Sequence, residues 1–226
     1  ISPACRVTEN LEPIEIVEIS KTKRILDFGQ NHAGNLSLHA GDIEIESITI
    51  RHAEILNANG ELYIDNLRGA KATDNVANLC ANQDWKPQFT FHGYRYAEIE
   101  SKIANAFPAN VSSRVIHSDL KRTGWFTCSD AVVNRFFENI VWGLRSNFVD
   151  VPTDCPQRDE RLGWTGDAQV FATTASYIYD VAAFFENWME DVNYAAADSG
   201  IFPNIAPDLL ELGQGAPGWA DAGVLV

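Results

Sequence analysis

The period of the apolar residues changes once along the chain, and that change limits the fold more than any other feature of the sequence. Between Ile14 and about Glu100 apolar and polar residues alternate, as in Ile14-Glu15-Ile16 and in Ile43-Glu44-Ile45-Glu46-Ser47-Ile48-Thr49-Ile50. That is the period of a strand with one buried face. Past Ser129 the pattern becomes helical: Val132, Val133, Phe136, Phe137, Ile140, Val141 and Leu144 recur at steps of three and four, with Ser129-Asp130 offering an N-cap. A chain that switches once between the two periods reads as a β part followed by an α part, each with its own core.

Turn chemistry divides the first part. Asn31-His32-Ala33-Gly34, Gly41-Asp42 and Asn59-Gly60 are read as turns, the last as a loop tip between Ile55-Leu56 and Leu62-Tyr63-Ile64. The aromatic run Phe89-Thr90-Phe91-His92-Gly93-Tyr94-Arg95-Tyr96-Ala97-Glu98-Ile99 adds a further strand. An antiparallel β-sandwich over residues 1–104 is the economical reading. Residues 105–124 carry Pro108, Asn110, Ser112, Ser113 and Gly124 without sustained periodicity and are read as a linker.

The second part, 125–226, is read as helix, loop, helix, helix. The first helix is followed by a loop from Asn147 to Gly163, then by a helix from Thr165 to Tyr179 and another from about Asp180 to Ala197. A Gly- and Pro-rich loop is expected from Ser199 to Gly218. The aromatic stripe Phe136, Phe137, Trp142 is taken as helix core. The chain begins at Ile1 rather than Met and stops on Val224-Leu225-Val226 with no cap, so both ends read as cuts in a longer protein.

Composition excludes several partners. The chain has 31 acidic against 17 basic residues, a formal charge of −14, which repels phosphate backbones and anionic lipid surfaces. No apolar run reaches the roughly 20 residues needed to cross a bilayer. Nucleic acid and membrane are therefore not expected partners. Cys5, Cys80, Cys128 and Cys155 lie far apart with no C-x-x-C pair and are read as free thiols. The sequence assigns no compartment, the cytoplasm being favoured over secretion.

The chemistry is concentrated in one loop. Asp154-Cys155-Pro156-Gln157-Arg158-Asp159-Glu160-Arg161-Leu162-Gly163-Trp164-Thr165-Gly166-Asp167 holds four carboxylates, two arginines and a tryptophan in fourteen positions between apolar helices. Paired carboxylates serve glycoside hydrolysis, one as a proton donor to the leaving oxygen and one to activate water or attack the anomeric carbon. Trp164 offers a flat apolar face to sugar C–H groups, and the mixture suits a neutral polyol better than a phosphate. A solvated ion-pair cluster has the same composition, and a calcium loop would also gather oxygens, although the spacing lacks the twelve-residue pattern with its central Gly.

Other chemistries are less well supported. Cys155 has no histidine near it in sequence, the five being His32, His39, His52, His92 and His117 on the sandwich side, which disfavours a cysteine hydrolase. His52 and His92 flank aromatic strands and are read as satisfied structural histidines rather than metal ligands. Gly163-Trp164-Thr165-Gly166 lacks the framework of a phosphate loop.

The run from Val151 to Gln169, VPTDCPQRDERLGWTGDAQ, resembles the signature of the α-L-rhamnosidases whose catalytic domain is an (α/α)6 barrel. The resemblance extends over Phe28–Gly34, Arg51–Glu54, Phe91–Tyr96, Trp142–Asn147, Ile205–Pro207 and Gly218–Ala222, nearly the whole chain. It implies a multidomain β plus α chain, an antiparallel β-sandwich followed by the first helices of an (α/α)6 barrel. It also implies hydrolysis of terminal α-L-rhamnosyl groups with inversion, Glu160 acting as general acid. Asp154, Arg158 and Asp167 would bond rhamnose hydroxyls, and Trp164 and Trp219 would pack against the ring and its methyl group.

Inversion needs a second carboxylate to activate water. Nothing here matches the family's general base, which lies beyond the position of Val226, and three or four helices are too few for a twelve-helix barrel. The chain is thus expected to be a fragment bearing the acid half of the site, with rhamnose-containing glycosides as partners, no cofactor and no metal. Its uncovered helix faces should promote self-association into homo-oligomers. The competing readings are a carbohydrate-binding fragment without catalysis and a six-hairpin glycosidase for another sugar.

Overall fold

Strand pairing through one long strand organises the first half of the chain. The computed structural model describes residues 2–196 and 200–226, and the expected end of the last long helix at Ala197 and start of the following loop at Ser199 fall outside them. Its elements are strands β1 (Cys5–Leu11), β2 (Glu15–Ser20), β3 (Lys23–His39), β4 (Ile45–Ala53), β5 (Thr73–Leu79), β6 (Asp84–Trp85), β7 (His92–Ser101), β8 (Asn110–Ser118), β9 (Phe148–Val149) and β10 (Val151–Pro152), with helices α1 (Ala131–Asn147), α2 (Thr165–Ile178), α3 (Ala182–Ala196) and α4 (Ala222–Leu225). They form two compact units: Val7–Ile116 with Pro156–Asp159, called the sheet unit here, and Ile1–Arg6, His117–Cys155 and Glu160–Val226, the helical unit.

In the sheet unit the strands follow the order β1-β8-β3-β7-β4-β5, with β2 and β6 also on β3. All of the registered pairs are antiparallel. β3 pairs over Lys23–Asp27 with both β2 and β7, and over Gly34–His39 with β8, so a single strand carries the sheet as it curls. The inward residues Leu26, Phe28, Leu36, Leu38, Ile45, Ile48, Ile50, Tyr94 and Ile99 enclose one core. The antiparallel β-sandwich expected from period two is consistent with this curled sheet.

Two local expectations change. Asn31-His32-Ala33-Gly34 is not a turn, because the chain runs through it inside β3 and the irregularity lies between Asp27 and His32. Gly29, at φ 74°, takes the left-handed conformation that this interruption requires. The linker 105–124 contains β8, whose buried positions include Ser113 and His117, so its alternation is hidden from a hydrophobicity pattern. Ser113 is placed there by its hydroxyl, which bonds both His32 and the phenol of Tyr94. Asn59-Gly60 is a loop tip as expected, with Gly60 at φ 80° and only the isolated bridge Leu56–Leu62 beside it.

The sheet unit also buries charge in pairs. Glu98, almost wholly inside, accepts from Arg51 Nε at 2.9 Å and from Arg51 Nη2, with Lys23 Nζ 3.5 Å away. Asp27 receives both Arg95 Nε and Nη2 at 2.7 Å. Such partners offset the desolvation that would otherwise make a buried carboxylate costly.

The helical unit is built round Val141, Leu144, Phe148, Ala175, Ile178, Phe184, Phe185, Trp188 and Val192. Phe148 stacks on Phe184 with ring centroids 4.6 Å apart. Asp130 caps α1 by accepting from the Val132 and Val133 amides at 2.8 and 3.3 Å. The aromatic stripe of α1 is not all core: Phe136 is 63% exposed and Val132 77% exposed, whereas Phe137 packs against the core and Trp142 lies under the Arg145 guanidinium at 4.0 Å. Periodicity located the helix without identifying which side would be covered. His117 also belongs to this unit rather than to the sandwich, accepting from Arg145 Nε at 3.0 Å.

Candidate active site

The charged loop is held at its origin, at its neck and at its exit. At the origin the last turn of α1 is tied to Thr153, whose amide and hydroxyl both donate to the Asn147 carbonyl at 2.8 and 2.9 Å. Between them β9 and β10 pair around Asp150, which adopts φ 69° and donates its amide to Ser118 Oγ at 3.1 Å. At the neck Asp154 and Leu162 bond twice: Asp154 N donates to Leu162 O at 3.1 Å, and Leu162 N donates to Asp154 Oδ1 at 3.0 Å. A seven-residue excursion is thereby closed by one side chain, and Asp154 is fixed in the process.

At the exit the chain is locked to the segment before α4. Ala206 N donates to Gly163 O at 2.9 Å, Trp164 bridges Ile205, and the Thr165 hydroxyl lies 3.0 and 2.9 Å from the Pro203 and Asn204 carbonyls. Trp188 Nε1 donates to Ala206 O at 2.9 Å from within the core. Gly163 is required here, since a Cβ would lie 2.3 Å from that carbonyl and 2.9 Å from the indole nitrogen. These bonds join a core tryptophan on α3 to the start of α2, so the loop inherits the rigidity of the helices.

Asp154, Cys155 and Glu160 come together, each with an oxygen or sulfur within 4.8 Å of the others. Both carboxylates are half-buried and Cys155 is buried. Arg161 follows at φ 52°, a left-handed conformation unusual for a non-glycine residue. Burial lowers the pKa of its guanidinium from the ordinary value, and the nearby Cys155 opposes that shift.

Next to this cluster the helical unit has an open cleft of about 660 Å3, within the usual size range of small-ligand sites. Asp154, Asp167 and Trp219 stand on its wall, together with Thr153 and Gln169. Asp167 is exposed in the first turn of α2, where a carboxylate is favoured by the helix dipole. Trp219 is 40% exposed and its ring covers Gly166, where a Cβ would sit 2.8 Å from the indole nitrogen. Gln169 Nε2 donates to the Gly218 carbonyl and so holds the turn that presents Trp219.

The remaining expected site residues are placed differently. Glu160 and Trp164 are not part of the cleft wall. Trp164 is half-buried at the N-cap of α2, its Nε1 without a hydrogen-bond partner among the described residues. Arg158 lies in the segment Pro156–Asp159, which packs with the sheet unit. There Pro156 and Gln157 press on Gly93, where a Cβ would come within 2.8 Å, and Asp159 Oδ2 accepts from the Gly69 amide at 3.1 Å. These anchors and the Asn147–Thr153 tie were missed in the sequence; the only trace of the former is glycine where the alternation calls for a side chain.

The expectation that His52 and His92 are satisfied structural residues holds in part. His92 Nε2 lies 3.2 Å from Asp74 Oδ2, and His52 Nδ1 lies 3.1 Å from the Ala72 carbonyl, but His52 Nε2 has no hydrogen-bond partner among the described residues. The four cysteines are free thiols. No helix among the described residues is long and apolar enough to cross a membrane.

Comparison with known proteins agrees with this arrangement. Residues 17–117 match the family profile described as the bacterial alpha-L-rhamnosidase concanavalin-like domain, and residues 121–226 match the bacterial alpha-L-rhamnosidase 6 hairpin glycosidase domain. An alpha-L-rhamnosidase of Streptomyces avermitilis is 40% identical over 98% of this chain, and one of Formosa agariphila is 41% identical over 96%. Among solved structures, the alpha-L-rhamnosidase from Dictyoglumus thermophilum matches all of the chain with a TM-score of 0.93 at 33% identity. The Streptomyces avermitilis enzyme complexed with L-rhamnose does so at 0.91 and 39%. The chain spans 22–24% of the length of the two curated relatives and 22–26% of the two solved chains. The two profile matches and the relatives cover the β-rich and the helical half along almost the entire sequence, and the chain belongs to the bacterial α-L-rhamnosidase family.

Proposed function

We propose that this chain is part of an enzyme that hydrolyses terminal α-L-rhamnosyl groups with inversion, and that Glu160 is its general acid. The observation that carries the reading is the convergence of Glu160 and Asp154 at the neck of a clasped loop beside an open cleft, in a member of a family whose relatives are α-L-rhamnosidases. The protonated Glu160 carboxyl gives its proton to the glycosidic oxygen as the C1–O bond breaks, so the aglycone leaves as a neutral alcohol. Water attacks C1 from the opposite face and loses its proton to a second carboxylate.

Asp154 does not suit that second role. Its carboxylate lies within 4.8 Å of Glu160, whereas an inverting pair stands roughly 6.5–9.5 Å apart to admit the water. Its Oδ1 also accepts the Leu162 amide. Asp154 and Asp167 instead hold sugar hydroxyls, with Trp219 against the apolar face of the ring and Arg158 and Trp164 as further sugar contacts. The base is supplied by residues outside these 226.

The test uses the protein expressed from its complete reading frame. Glu160→Gln should lower turnover by about 10²–10⁴-fold while L-rhamnose binding, followed by calorimetry, changes little. Proton NMR of the wild-type reaction should show the β anomer of rhamnose first. Unchanged turnover in Glu160→Gln would remove the acid assignment, and initial release of the α anomer would point to Asp154 as a nucleophile in a retaining reaction. Turnover of another aryl glycoside but not of a rhamnoside would leave only the hydrolase class.

A further inference from the structure

A second group of ligating side chains lies in the core of the sheet unit. His52 on β4, Asp74 on β5 and His92 on β7 come from three adjacent strands, and each offers one ligand atom within 4.8 Å of the other two. Their side chains are 0%, 10% and 7% exposed. The two imidazole rings stack, with centroids 4.2 Å apart and planes at 24°, and the Tyr94 ring closes one side of His52 at 4.6 Å.

The hydrogen bonds determine which His52 nitrogen carries a lone pair. Nδ1 faces the Ala72 carbonyl at 3.1 Å, an acceptor only, so Nδ1 holds the hydrogen and Nε2 the lone pair. Nε2 has no hydrogen-bond partner among the described residues, and Asp74 Oδ2 stands 3.9 Å from it. A lone pair turned toward a buried carboxylate oxygen is repulsive unless a positive charge lies between them. A cation held between the two atoms would supply that charge and give both of them a partner.

We propose that His52 Nε2, His92 Nε2 and Asp74 Oδ2 bind one divalent transition-metal ion of the zinc class, which ties β4, β5 and β7 together. Two imidazoles and a carboxylate suit zinc rather than calcium or magnesium, which prefer oxygen. Tetrahedral bonds of about 2.0–2.1 Å put donor atoms about 3.3 Å apart. The His92–Asp74 and His52–Asp74 separations are 3.2 and 3.9 Å and all three ligand atoms lie within 4.8 Å, so the site closes when the stacked imidazoles tilt to aim both nitrogens at one ion. The Ala72 carbonyl on the far nitrogen of His52 is the outer contact that fixes the tautomer of a ligating imidazole. Water completes the coordination.

The test measures zinc per chain by mass spectrometry on the protein from its complete reading frame, stripped with chelator, exposed to zinc and dialysed. His52→Gln and Asp74→Asn should each retain one equivalent fewer than wild type, while Cys155→Ser, which alters the other acidic and thiol cluster, should retain the same amount. Circular dichroism confirms that the variants are folded. If they are not, wild-type protein loaded with cobalt is decisive, because this site should give tetrahedral bands without thiolate charge transfer. Equal zinc in wild type and folded Asp74→Asn, a loss confined to Cys155→Ser, a cobalt spectrum with thiolate bands alone, or no retained metal would each overturn the proposal.

Discussion

The sheet unit and the helical unit meet the same requirement, burying one apolar face of every element, with different success. In the sheet unit a single strand, β3, joins β2, β6, β7 and β8, and the core from Leu26 to Phe107 is enclosed by strands that pair with one another. Its exposed apolar residues lie on the strands β1 and β2, at Val7, Ile16, Val17 and Ile19, and otherwise in connecting segments such as those holding Ile14, Ile55, Ile64 and Phe89. In the helical unit Val132 and Phe136 on α1, and Val170 and Tyr177 on α2, are each 63–79% exposed although they belong to regular helices. A sheet satisfies its backbone through its neighbours and so assembles its core as it pairs, whereas a helix satisfies its backbone alone and can form with an apolar face still uncovered. The site depends on the less enclosed of the two units.

The largest structural effect should come from the helical unit, where one tryptophan serves both the core and the loop. Trp188→Ala removes a fully buried ring and the bond from Nε1 to Ala206 O, and should cost about 3–5 kcal/mol in denaturant unfolding. Activity of the complete protein should fall with it, because Gly163 and Ala206 lose the contact that holds the loop exit. A large loss of stability with full activity would separate the loop from the core and break the comparison.

The corresponding change in the sheet unit should affect stability alone. A Cβ at Gly34 would lie 2.2 Å from the Arg114 carbonyl, at the point where β3 passes from β7 to β8. Gly34→Ala should lower the melting temperature, through a cost of about 1–3 kcal/mol, with kcat unchanged in the protein that remains folded. An equal loss of kcat would show that the chemistry is not confined to the helical unit.

A smaller effect tests the uncovered faces. The 226-residue chain should self-associate in light scattering, and Phe136→Ser with Val170→Ser should reduce that association while changing stability by less than about 1 kcal/mol. If both residues are simply solvent-facing, the pair will leave association unaltered.

The smallest effect concerns pH. Arg95, hydrogen-bonded to Asp27, holds the Asp27 carboxyl below the ordinary carboxylate range, burial acting in the opposite direction. A depressed carboxylate stabilises the fold above its unfolded pKa of about 3.9 and loses that contribution as pH falls through the folded value. Arg95→Ala should therefore lower the melting temperature at pH 7 and have less effect at pH 3. A difference that is the same at both would assign the arginine's role to packing of its stem.

What could be read from the sequence follows the same division. β4 and α1 were legible because their periods are regular, and the acidic loop because Asp154, Glu160 and Asp167 stand out against apolar helices. β8 was not, since Ser113 and His117 occupy buried positions for the sake of hydrogen bonds that come from β3 and β7 in the first case and from Arg145 on α1 in the second. Asn31–Gly34 carries turn residues yet continues a strand, because Gly29 takes the local irregularity instead. Within the site, the chemistry of the side chains was visible but not their mounting. The Asp154–Leu162 clasp, the Thr165 bonds to Pro203 and Asn204, and the packing of Pro156–Asp159 with the sheet unit depend on tertiary contacts.

The assignment of Glu160 as proton donor is tested most directly by its dependence on the leaving group. Glu160→Gln in the complete protein should be compared with wild type on p-nitrophenyl α-L-rhamnoside, whose aglycone departs readily as an anion, and on an alkyl α-L-rhamnoside, whose aglycone must be protonated. The account predicts a far greater loss of kcat/KM on the alkyl substrate. Equal losses on both would contradict it and leave Glu160 a residue that positions the sugar.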